Sequence, residues 1–291
     1  MTLVSIVVIS KNERALAGTL DALAGMTDEV DHEVIVVDAS RKRLDDIRAA
    51  RPWVRWTDFE PVPGKRVTIP EQRNRGVAEA RGDIIVYTDA GCYPRDGWLS
   101  RLVGPIVAGR ESATCGMTGS ASGRHIYDTW GVEGEYLEEC ATINLAFTRE
   151  AFQKIGGFDE TFDYCSDTDF TWRLNDAGVR IRLVPEARVD HDWGGTARQV
   201  KRAWYYGAGR AKLYATHRTA ARWKSMPQRD PILVAYPLFL LGLPLTLKFK
   251  AYPLLVAVPL LRNRSSQPAR TLMDHLCYGA GALGFVAGHA R

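Results

Sequence analysis

The sequence predicts an α/β protein with a doubly wound, mostly parallel sheet, followed by a hydrophobic C-terminal helical segment. In the first third of the chain, short β-branched runs alternate with segments of helical periodicity, whereas uncharged apolar stretches dominate after residue 226. The first pattern is typical of parallel strands joined by crossover helices. A length of 291 residues is sufficient for one large domain with an appendage.

Hydrophobic periodicity places the individual elements of the sheet. Buried strands are predicted from short apolar runs at residues 5–9, 34–37, 84–87, 142–147 and 180–184. Helices are predicted from apolar residues three or four positions apart, at residues 16–23, 70–80 and 167–177. Pro70 opens the second of these helices and Gly82 follows its end, as is common at helix termini.

Charge and cysteine content restrict the classes of partner and compartment. The formal net charge of +4 is too small to indicate nucleic acid, so we expect no nucleic-acid partner. The five cysteines are widely spread and form no CxxC pair. This predicts a reducing compartment and argues against a disulfide framework or a zinc knuckle. The N-terminus leads directly into the strand at residues 5–9, which we interpret as a strand and not as a signal peptide.

The composition predicts a main domain at residues 1–225 and a hydrophobic segment at residues 226–291. The apolar stretches of this segment, at residues 232–247, 251–261 and 276–287, are each shorter than the ~20 residues of a spanning helix. The segment either folds as a buried helical subdomain or attaches to a membrane surface. Nearby basic residues favour the second interpretation through contact with anionic headgroups; they are Arg262, Arg264 and Arg270.

The strongest functional signal lies just beyond three predicted strands. Carboxylates and small polar residues occur there, namely Ser10, Asn12, Glu13, Asp38 and Asp89. Ligands of open α/β sheets bind at the carboxyl ends of the strands. Any one of these residues could be a helix cap or a turn residue. Their occurrence after three strands favours a ligand site.

Several motifs in order resemble the family 2 glycosyltransferases of the GT-A fold, which has a Rossmann-like nucleotide-binding sheet. The resemblance covers about residues 4–218. It rests on residues 5–13, 33–40, 73–76, 82–91, 156–160 and 167–169, and on Arg173 and His191. It implies transfer of a sugar from a nucleotide diphosphate sugar to a hydroxyl group, with one catalytic domain at residues 1–225.

The resemblance implies where the donor binds. Glu13 and Asp38 would contact the base and ribose, because carboxylates accept hydrogen bonds from ring N–H groups and hydroxyls. Arg73 and Asn74 would line the same pocket. The full set of residues expected to bind the donor is Ser10, Asn12, Glu13, Asp38, Arg73, Asn74 and Asp89.

The resemblance also implies a divalent cation, Mg²⁺ or Mn²⁺, at Asp89 and His191. Asp89 is the first residue of what is normally an Asp-x-Asp motif, but Gly91 stands at the third position. A cation that bridges diphosphate oxygens prefers several hard oxygen ligands. The site therefore holds a metal with Asp89, His191 and water, or depends on metal more weakly. The alternative for His191 is a surface histidine between Asp190 and Asp192.

Asp167 matches the catalytic base of the family. The family usually has a glutamate before the base, whereas this chain has Ser166. A carboxylate at the start of a helix is also an ordinary cap, and Asp169 could serve as the base instead. We expect Asp169 and Arg173 to support the active-site loop, and Trp193 to lie in a loop that closes over donor and acceptor.

These observations predict an inverting glycosyltransferase that acts at the cytoplasmic face of the cell membrane. The expected acceptor is a lipid-linked or cell-envelope glycan, because the hydrophobic segment would attach the protein to a membrane surface. A nucleotidyltransferase is a rival, although residues 10–20 lack the Gly-rich basic loop that holds a triphosphate. A catalytically impaired nucleotide-sugar-binding protein is another, since Gly91 and Ser166 alter two motifs.

Overall fold

The computed structural model describes residues 2–27, 30–61, 64–65, 68–120, 134–191, 196–256 and 268–289, with backbone only for residues 196–200. Contacts divide the chain into two compact units, residues 1–193 and 194–291. This division falls before the predicted boundary at residue 225. The reason is that the helix Thr196–Thr216 packs along the C-terminal helix Pro268–His289.

The first unit is built on a sheet that has nine strands in the described residues. They are β1 Val4–Ser10, β2 His32–Asp38, β3 Arg55–Asp58, β4 Ile84–Asp89, β5 Cys92–Pro94, β6 Ala113–Ser120, β7 Tyr136–Leu137, β8 Leu145–Thr148 and β9 Ile181–His191. The order is β3-β2-β1-β4-β8-β6-β9-β5, with β7 paired to β9. Strand β2 lies on one side of β1 and β4 lies on the other, so the strand order reverses at β1. Sheets of this kind bind ligands at such a switch point.

The two halves of the sheet differ in strand direction. Strands β3, β2, β1 and β4 are parallel, whereas β8 runs antiparallel to both β4 and β6. Beyond β8, β6 and β9 are parallel, and β5 and β7 pair antiparallel with β9. The predicted doubly wound α/β fold is therefore confirmed, and its second half is a mixed sheet.

Helices cover both faces of the sheet. In the first unit they are α1 Leu16–Ala24, α2 Asp45–Ala49, α3 Ile69–Glu79, α4 Trp98–Val107, α5 Arg149–Lys154 and α6 Ser166–Asp176. Side chains of β1 alternate between the faces, as the pleat requires. Ile6 and Val8 lie in a core with α1 and α4, whereas Val7 lies in a core with Phe158 and Phe170.

The predicted strand at residues 142–147 begins later than expected. Residues Thr142–Asn144 form a 3-10 turn, and β8 follows at Leu145. The side chain of Asn144 is fully buried and donates to the carbonyls of Met117 and Ala187, both at 2.9 Å. It also accepts a hydrogen bond from Trp98 Nε1 at 2.8 Å. Asn144 therefore joins its own 3-10 turn to α4, β6 and β9. The hydrophobic pattern alone indicated a strand at this position.

Strand β9 extends well beyond the predicted residues 180–184. Its pairing with β6 shifts register between Gly116 and Met117, whose partners in β9 are Val184 and Arg188. The three intervening residues of β9, starting at Pro185, therefore bulge out of the pairing. A Cβ atom at Gly116 would lie 2.2 Å from the carbonyl oxygen of Ala187. Glycine at this position thus permits the close approach that carries β9 on to His191.

The second unit contains α7 Thr196–Thr216, α8 Ala220–Arg229, α9 Pro231–Leu241, two 3-10 turns, and α10 Pro268–His289. Glycines bring α7 and α10 into close contact. A Cβ at Gly207 would lie 1.9 Å from the carbonyl oxygen of Tyr278, and one at Gly281 would lie 2.0 Å from that of Trp204. The Gly-rich stretch at residues 276–287 is therefore a packing surface. Among the described residues, no helix has the length and apolarity needed to cross a membrane.

Candidate active site

Three of the residues singled out from the sequence lie at one edge of the sheet. Ser10 is the register partner of Asp38, and Asp89 is the partner of Ile9. The parallel direction of β1, β2 and β4 therefore brings Ser10, Asp38 and Asp89 to the carboxyl ends of adjacent strands. This is the edge at which open α/β sheets bind ligands.

Asp38 lies in a network of polar groups at this edge and is 6% exposed. Its Oδ1 accepts hydrogen bonds from the backbone N–H of Ser40 at 3.1 Å and from the Ser40 hydroxyl. The Ser40 Oγ in turn accepts from the N–H of Asn12 at 2.6 Å. Burial raises the pKa of Asp38, and the hydrogen bonds from Ser40 act in the opposite direction.

Ser40, which lies in the motif at residues 33–40, and Gln72 also shape this edge, and neither was assigned a role from the sequence. Gln72 Nε2 donates to the carbonyls of Ser10 and Val37, both at 2.9 Å, and so joins the ends of β1 and β2. A serine two residues after an aspartate is a common turn pattern and could have indicated Ser40. Gln72 shows no such local signal, because its partners are distant in sequence.

A cavity of about 260 Å³ opens beside this network. It is lined by Lys11, Asn12, Ala39, Ser40, Arg41, Arg43, Pro61, Gly64 and Lys65. Four of these lining residues are basic and none is acidic, so the cavity suits an anionic ligand. Asn12 adopts a left-handed φ of 62° and accepts from Arg43 Nη1 at 3.2 Å. Asn12 is the one residue expected to bind the donor that lines this cavity; Ser10, Glu13, Asp38 and Asp89 do not line it.

Arg73 points from α3 towards the start of α6 and does not line that cavity. Its side chain is buried, and Nη1 donates to Ser166 Oγ at 3.3 Å. The guanidinium lies 5.3 Å from the ring centroid of Phe158. Its Nε has no hydrogen-bond partner among the described residues. Ser166 thus occupies the glutamate position of the family and contacts Arg73.

Asn74 holds the turn at residues 156–160. Its Nδ2 donates to the carbonyl of Phe158 at 3.0 Å and to Glu160 Oε1 at 2.9 Å, and its Oδ1 accepts from the N–H of Phe158 at 2.8 Å. The ring of Phe158 stacks on Phe170 of α6, with centroids 4.1 Å apart. Asn74 therefore positions α6 through this turn and also does not line the cavity.

Asp167 lies in the first turn of α6. Burial raises its pKa, the charge of Arg73 lowers it, and the charge of Asp89 raises it. The backbone N–H of Thr168 donates to Asp167 Oδ1 at 2.9 Å. The charges of Arg73 and Asp89 thus both act on Asp167, although Arg73 lies in α3, Asp89 ends β4 and Asp167 lies in α6.

Asp169 is buried and forms an ion pair with Arg173. It is 1% exposed and accepts hydrogen bonds from Arg173 Nε and Nη2 at 2.9 and 2.7 Å. Arg173 Nη1 also donates to the carbonyls of Ile155 and Gly157 at 2.9 and 2.7 Å. The pair joins α6 to the turn after α5. This geometry favours Asp167 over Asp169 as a base.

His191 ends β9 and is the register partner of Cys92 in β5. Gly91 precedes Cys92 with a φ of +92°, and a Cβ at that position would lie 3.9 Å from His191 Nε2. The imidazole therefore lies beside the residue that replaces the second aspartate of the metal motif. Asp190 forms an ion pair with Arg95 at 2.9 Å. Trp193 lies outside the described residues.

The described residues contain no group of three or more His, Cys, Asp or Glu side chains that could hold a metal ion. Asp89 ends β4, and His191 pairs with Cys92, three residues further along the chain, so the two side chains could supply two ligands. Mg²⁺ is commonly held by one or two carboxylates together with substrate phosphates and water. The donor set therefore fits a cation that binds together with an anionic ligand.

Comparison with known proteins identifies the family of the chain. The family model described as "Glycosyl transferase family 2" matches residues 5–164, and "Glycosyl transferase family group 2" matches residues 136–285. A pre-mycofactocin glycosyltransferase of Mycobacterium tuberculosis is 31% identical over 163 residues, covering 50% of this chain and 34% of that protein. The succinoglycan biosynthesis protein ExoA of Rhizobium meliloti is 29% identical over 179 residues, covering 53% and 52%. The matches thus span a third to a half of these relatives.

Solved structures show the same fold. The mannosyltransferase PcManGT of Pyrobaculum calidifontis, in complex with GDP-Man and Mn²⁺, has a TM-score of 0.68 at 18% identity, covering 97% of this chain and 86% of that chain. GalNAc-T7 with UDP, GalNAc and Mn²⁺ has a TM-score of 0.54 at 17% identity, covering 75% and 55%. Together with the family models that match more than half of the chain, the sheet and its polar edge show that this protein belongs to glycosyltransferase family 2 and has the GT-A fold.

Proposed function

We propose that the protein is an inverting glycosyltransferase that moves a sugar from a nucleotide diphosphate donor to an acceptor hydroxyl, with Asp167 as the base. The observation that carries this proposal is the position of Asp167. It directly follows Ser166, which accepts a hydrogen bond from the buried Arg73, and the charges of Arg73 and Asp89 both act on its pKa. A nucleotidyltransferase is no longer a rival, because the chain belongs to a glycosyltransferase family.

The donor binds at the cavity beside β1 and β2. Ser40 lines this cavity and can accept from ribose hydroxyls or base N–H groups, and the basic lining favours the diphosphate. Asp38 lies behind the lining and holds the Ser40 hydroxyl in place. The two solved neighbours contain GDP-Man in one case and UDP and GalNAc in the other, which supports this ligand class. Asp89 and His191 would hold Mn²⁺ or Mg²⁺, which neutralises charge on the departing diphosphate when it is bound.

Transfer proceeds by a single displacement. An oxygen of the Asp167 carboxylate accepts the proton of the acceptor hydroxyl while that hydroxyl oxygen bonds to the anomeric carbon. The bond between that carbon and the diphosphate oxygen breaks on the opposite side, so the configuration inverts. Burial makes Asp167 a stronger base, and the nearby charge of Arg73 favours its ionised form.

The acceptor is proposed to be a lipid-linked or cell-envelope glycan at the cytoplasmic face of the membrane. One relative is named for succinoglycan biosynthesis and another, from Myxococcus xanthus, for O-antigen biosynthesis, and both names concern cell-surface glycans. The hydrophobic composition of residues 231–261 adds support.

The donor site is tested by replacing Asp38 with alanine. We expect the affinity for the preferred nucleotide diphosphate sugar to fall about 10- to 100-fold, because Asp38 holds Ser40 of the cavity lining through a hydrogen bond to a charged group, which is worth roughly 1.5–3 kcal/mol. Calorimetry with a panel of uridine and guanosine diphosphate sugars, with and without Mn²⁺, measures this change. Asp58→Ala is the matched control, since Asp58 is the exposed register partner of Asp38 on β3. Equal affinities in all three proteins would contradict this assignment of the donor site.

The electrostatic role of Arg73 is tested by the pH dependence of kcat/KM. Because the charge of Arg73 lowers the pKa of Asp167, Arg73→Met should raise that pKa. The base is then protonated up to a higher pH, so the acidic limb of the profile should move to higher pH. Arg75→Met is the control, because Arg75 lies on the exposed face of α3 and pairs with Glu79. An acidic limb that stays in place would exclude Arg73 as a partner of the base.

A nucleotide-sugar-binding protein without catalysis is the second candidate, favoured by Gly91 and Ser166 at two motif positions. Release of nucleoside diphosphate from the bound donor distinguishes the two functions. If the protein binds a donor but releases no nucleoside diphosphate when membrane lipids and glycans are supplied as acceptors, the binding-protein function is supported.

A further inference from the structure

The second unit exposes a run of large apolar side chains that begins in the last turn of α9 and continues beyond it. We define residues 238–256 as the apolar turn segment, which contains the 3-10 turns Leu243–Leu247 and Tyr252–Val256. Its exposed members are Leu238, Leu241, Leu243, Leu245, Leu247, Phe249, Leu254 and Leu255. Leu247 is 92% exposed. Single exposed apolar residues are ordinary, whereas contiguous ones mark an interaction surface.

Internal contacts fix the apolar turn segment in this arrangement. The rings of Phe239 and Tyr252 stack with centroids 5.4 Å apart, and the Tyr252 hydroxyl donates to the carbonyl of Phe239 at 3.0 Å. A Cβ at Gly242 would lie 1.9 Å from that hydroxyl oxygen, so glycine permits the contact. Backbone bonds from Leu245 to Gly242 and from Phe249 to Leu245 continue the turns. The leucines are therefore held outward by a defined scaffold.

The segment also encloses an apolar cavity of about 250 Å³. Its lining residues are Ala235, Tyr236, Leu238, Phe239, Tyr252, Leu255 and Val256. None of these is charged, and Leu238 and Leu255 are also among the exposed residues. The cavity thus connects with the exposed surface and suits part of a hydrocarbon chain.

Charge indicates which partner covers this surface. The sequence between Asp230 and Asp274 contains no acidic residue, and Lys248 and Lys250 lie between the two 3-10 turns. Lysines of this kind keep their ammonium groups at the polar boundary while their stems lie on apolar surface. In a two-fold contact of this surface with itself, a second copy of the chain would bring lysine against lysine, whereas anionic headgroups complement the lysines.

We propose that the apolar turn segment inserts its leucines into the headgroup–acyl boundary of an anionic lipid bilayer, with Lys248 and Lys250 at the phosphate level. Interfacial attachment of this kind needs buried apolar area and cationic flanks but no spanning helix. This proposal adds a partner to the proposed function and rests on it only for the use of lipid-linked acceptors. Vesicle binding needs no turnover, so the two proposals fail separately.

Co-sedimentation with vesicles tests the proposal, with the full chain and two lipid compositions: phosphatidylcholine alone, and phosphatidylcholine with phosphatidylglycerol. We expect wild type to bind the anionic vesicles, and Leu245→Asp/Leu247→Asp to lower the partition coefficient about tenfold or more. Lys248→Gln/Lys250→Gln should remove most of the preference for phosphatidylglycerol. Val107→Asp is the control, because Val107 is a 54% exposed apolar residue of the first unit.

Two measurements separate this result from misfolding and self-association. Leu245 and Leu247 are exposed, so thermal unfolding and donor binding of the double variant should match wild type. Light scattering reports the oligomeric state. The proposal is overturned if wild type binds neither kind of vesicle, or if Leu245→Asp/Leu247→Asp leaves vesicle binding unchanged. It is also overturned if the aspartates dissociate a dimer of a protein that binds no vesicle, since the partner is then a second copy.

Discussion

Asp167→Asn should lower kcat by about 10²- to 10⁴-fold, the range that general-base catalysis contributes. Asparagine keeps the shape of the side chain and an oxygen that accepts the Thr168 N–H, but it cannot take the acceptor proton. Donor affinity should stay within a few-fold of wild type, because Asp167 does not line the donor cavity. Release of nucleoside diphosphate in the presence of acceptor measures the loss, and calorimetry measures donor affinity.

The free energy of unfolding of the same variant tests whether the Asp167 charge is unfavourable in the folded protein. Burial raises the pKa of Asp167, so its charged form is disfavoured in the folded protein. Asp167→Asn removes that charge, and its free energy of unfolding at neutral pH should equal or exceed that of wild type. A variant with wild-type kcat would refute the assignment of the base. The neighbouring substitution Asp169→Asn disrupts the pair with Arg173 and should instead destabilise the fold.

Asn144→Ala should lower the free energy of unfolding by about 3–5 kcal/mol, as expected when a buried hydrogen-bond network is broken. The substitution leaves three buried groups without their partner, each at a cost of roughly 1–3 kcal/mol if it stays unpaired. They are Trp98 Nε1 and the carbonyls of Met117 and Ala187. Urea denaturation followed by tryptophan fluorescence measures the change.

Asn175→Ala provides the matched control for this prediction. Asn175 also donates to backbone carbonyls, those of Leu137, Glu138 and Thr171, but it is only partly buried. Water can replace its side chain at those carbonyls, so the loss should be about 1 kcal/mol or less. Similar losses of unfolding free energy in the two variants would show that the buried network of Asn144 stabilises the fold no more than the partly exposed contacts of Asn175.

The first half of the fold could be predicted from the sequence because it depends on local patterns. The runs at residues 5–9, 34–37 and 84–87 form β1, β2 and β4, since each is largely apolar and is buried on both faces of the sheet. The later elements depend on distant contacts. The network of Asn144 delays β8, and the glycine at position 116 allows β9 to continue past Pro185.

The candidate site shows the same distinction. Asp38 and Asp89 could be located from the sequence because each ends a strand, and parallel strands bring their ends together. The directions of Arg73 and Asn74 could not be predicted, because their partners are Ser166 and Phe158, more than eighty positions away. The specific roles of all these residues in transfer stay predictions until variants are measured.

Helix α3 determines how the two parts of the site are spaced. Its consecutive residues Gln72, Arg73 and Asn74 point in three directions about 100° apart and reach the strand ends, α6 and the 156–160 turn respectively. Inserting one residue ahead of them would rotate all three contacts away from their partners together. Gly76, whose added Cβ would lie 2.3 Å from Val7 Cγ1, also keeps the helix in direct contact with β1. Substitutions on the outer face of α3 are therefore compatible with activity, whereas a change in its length is not.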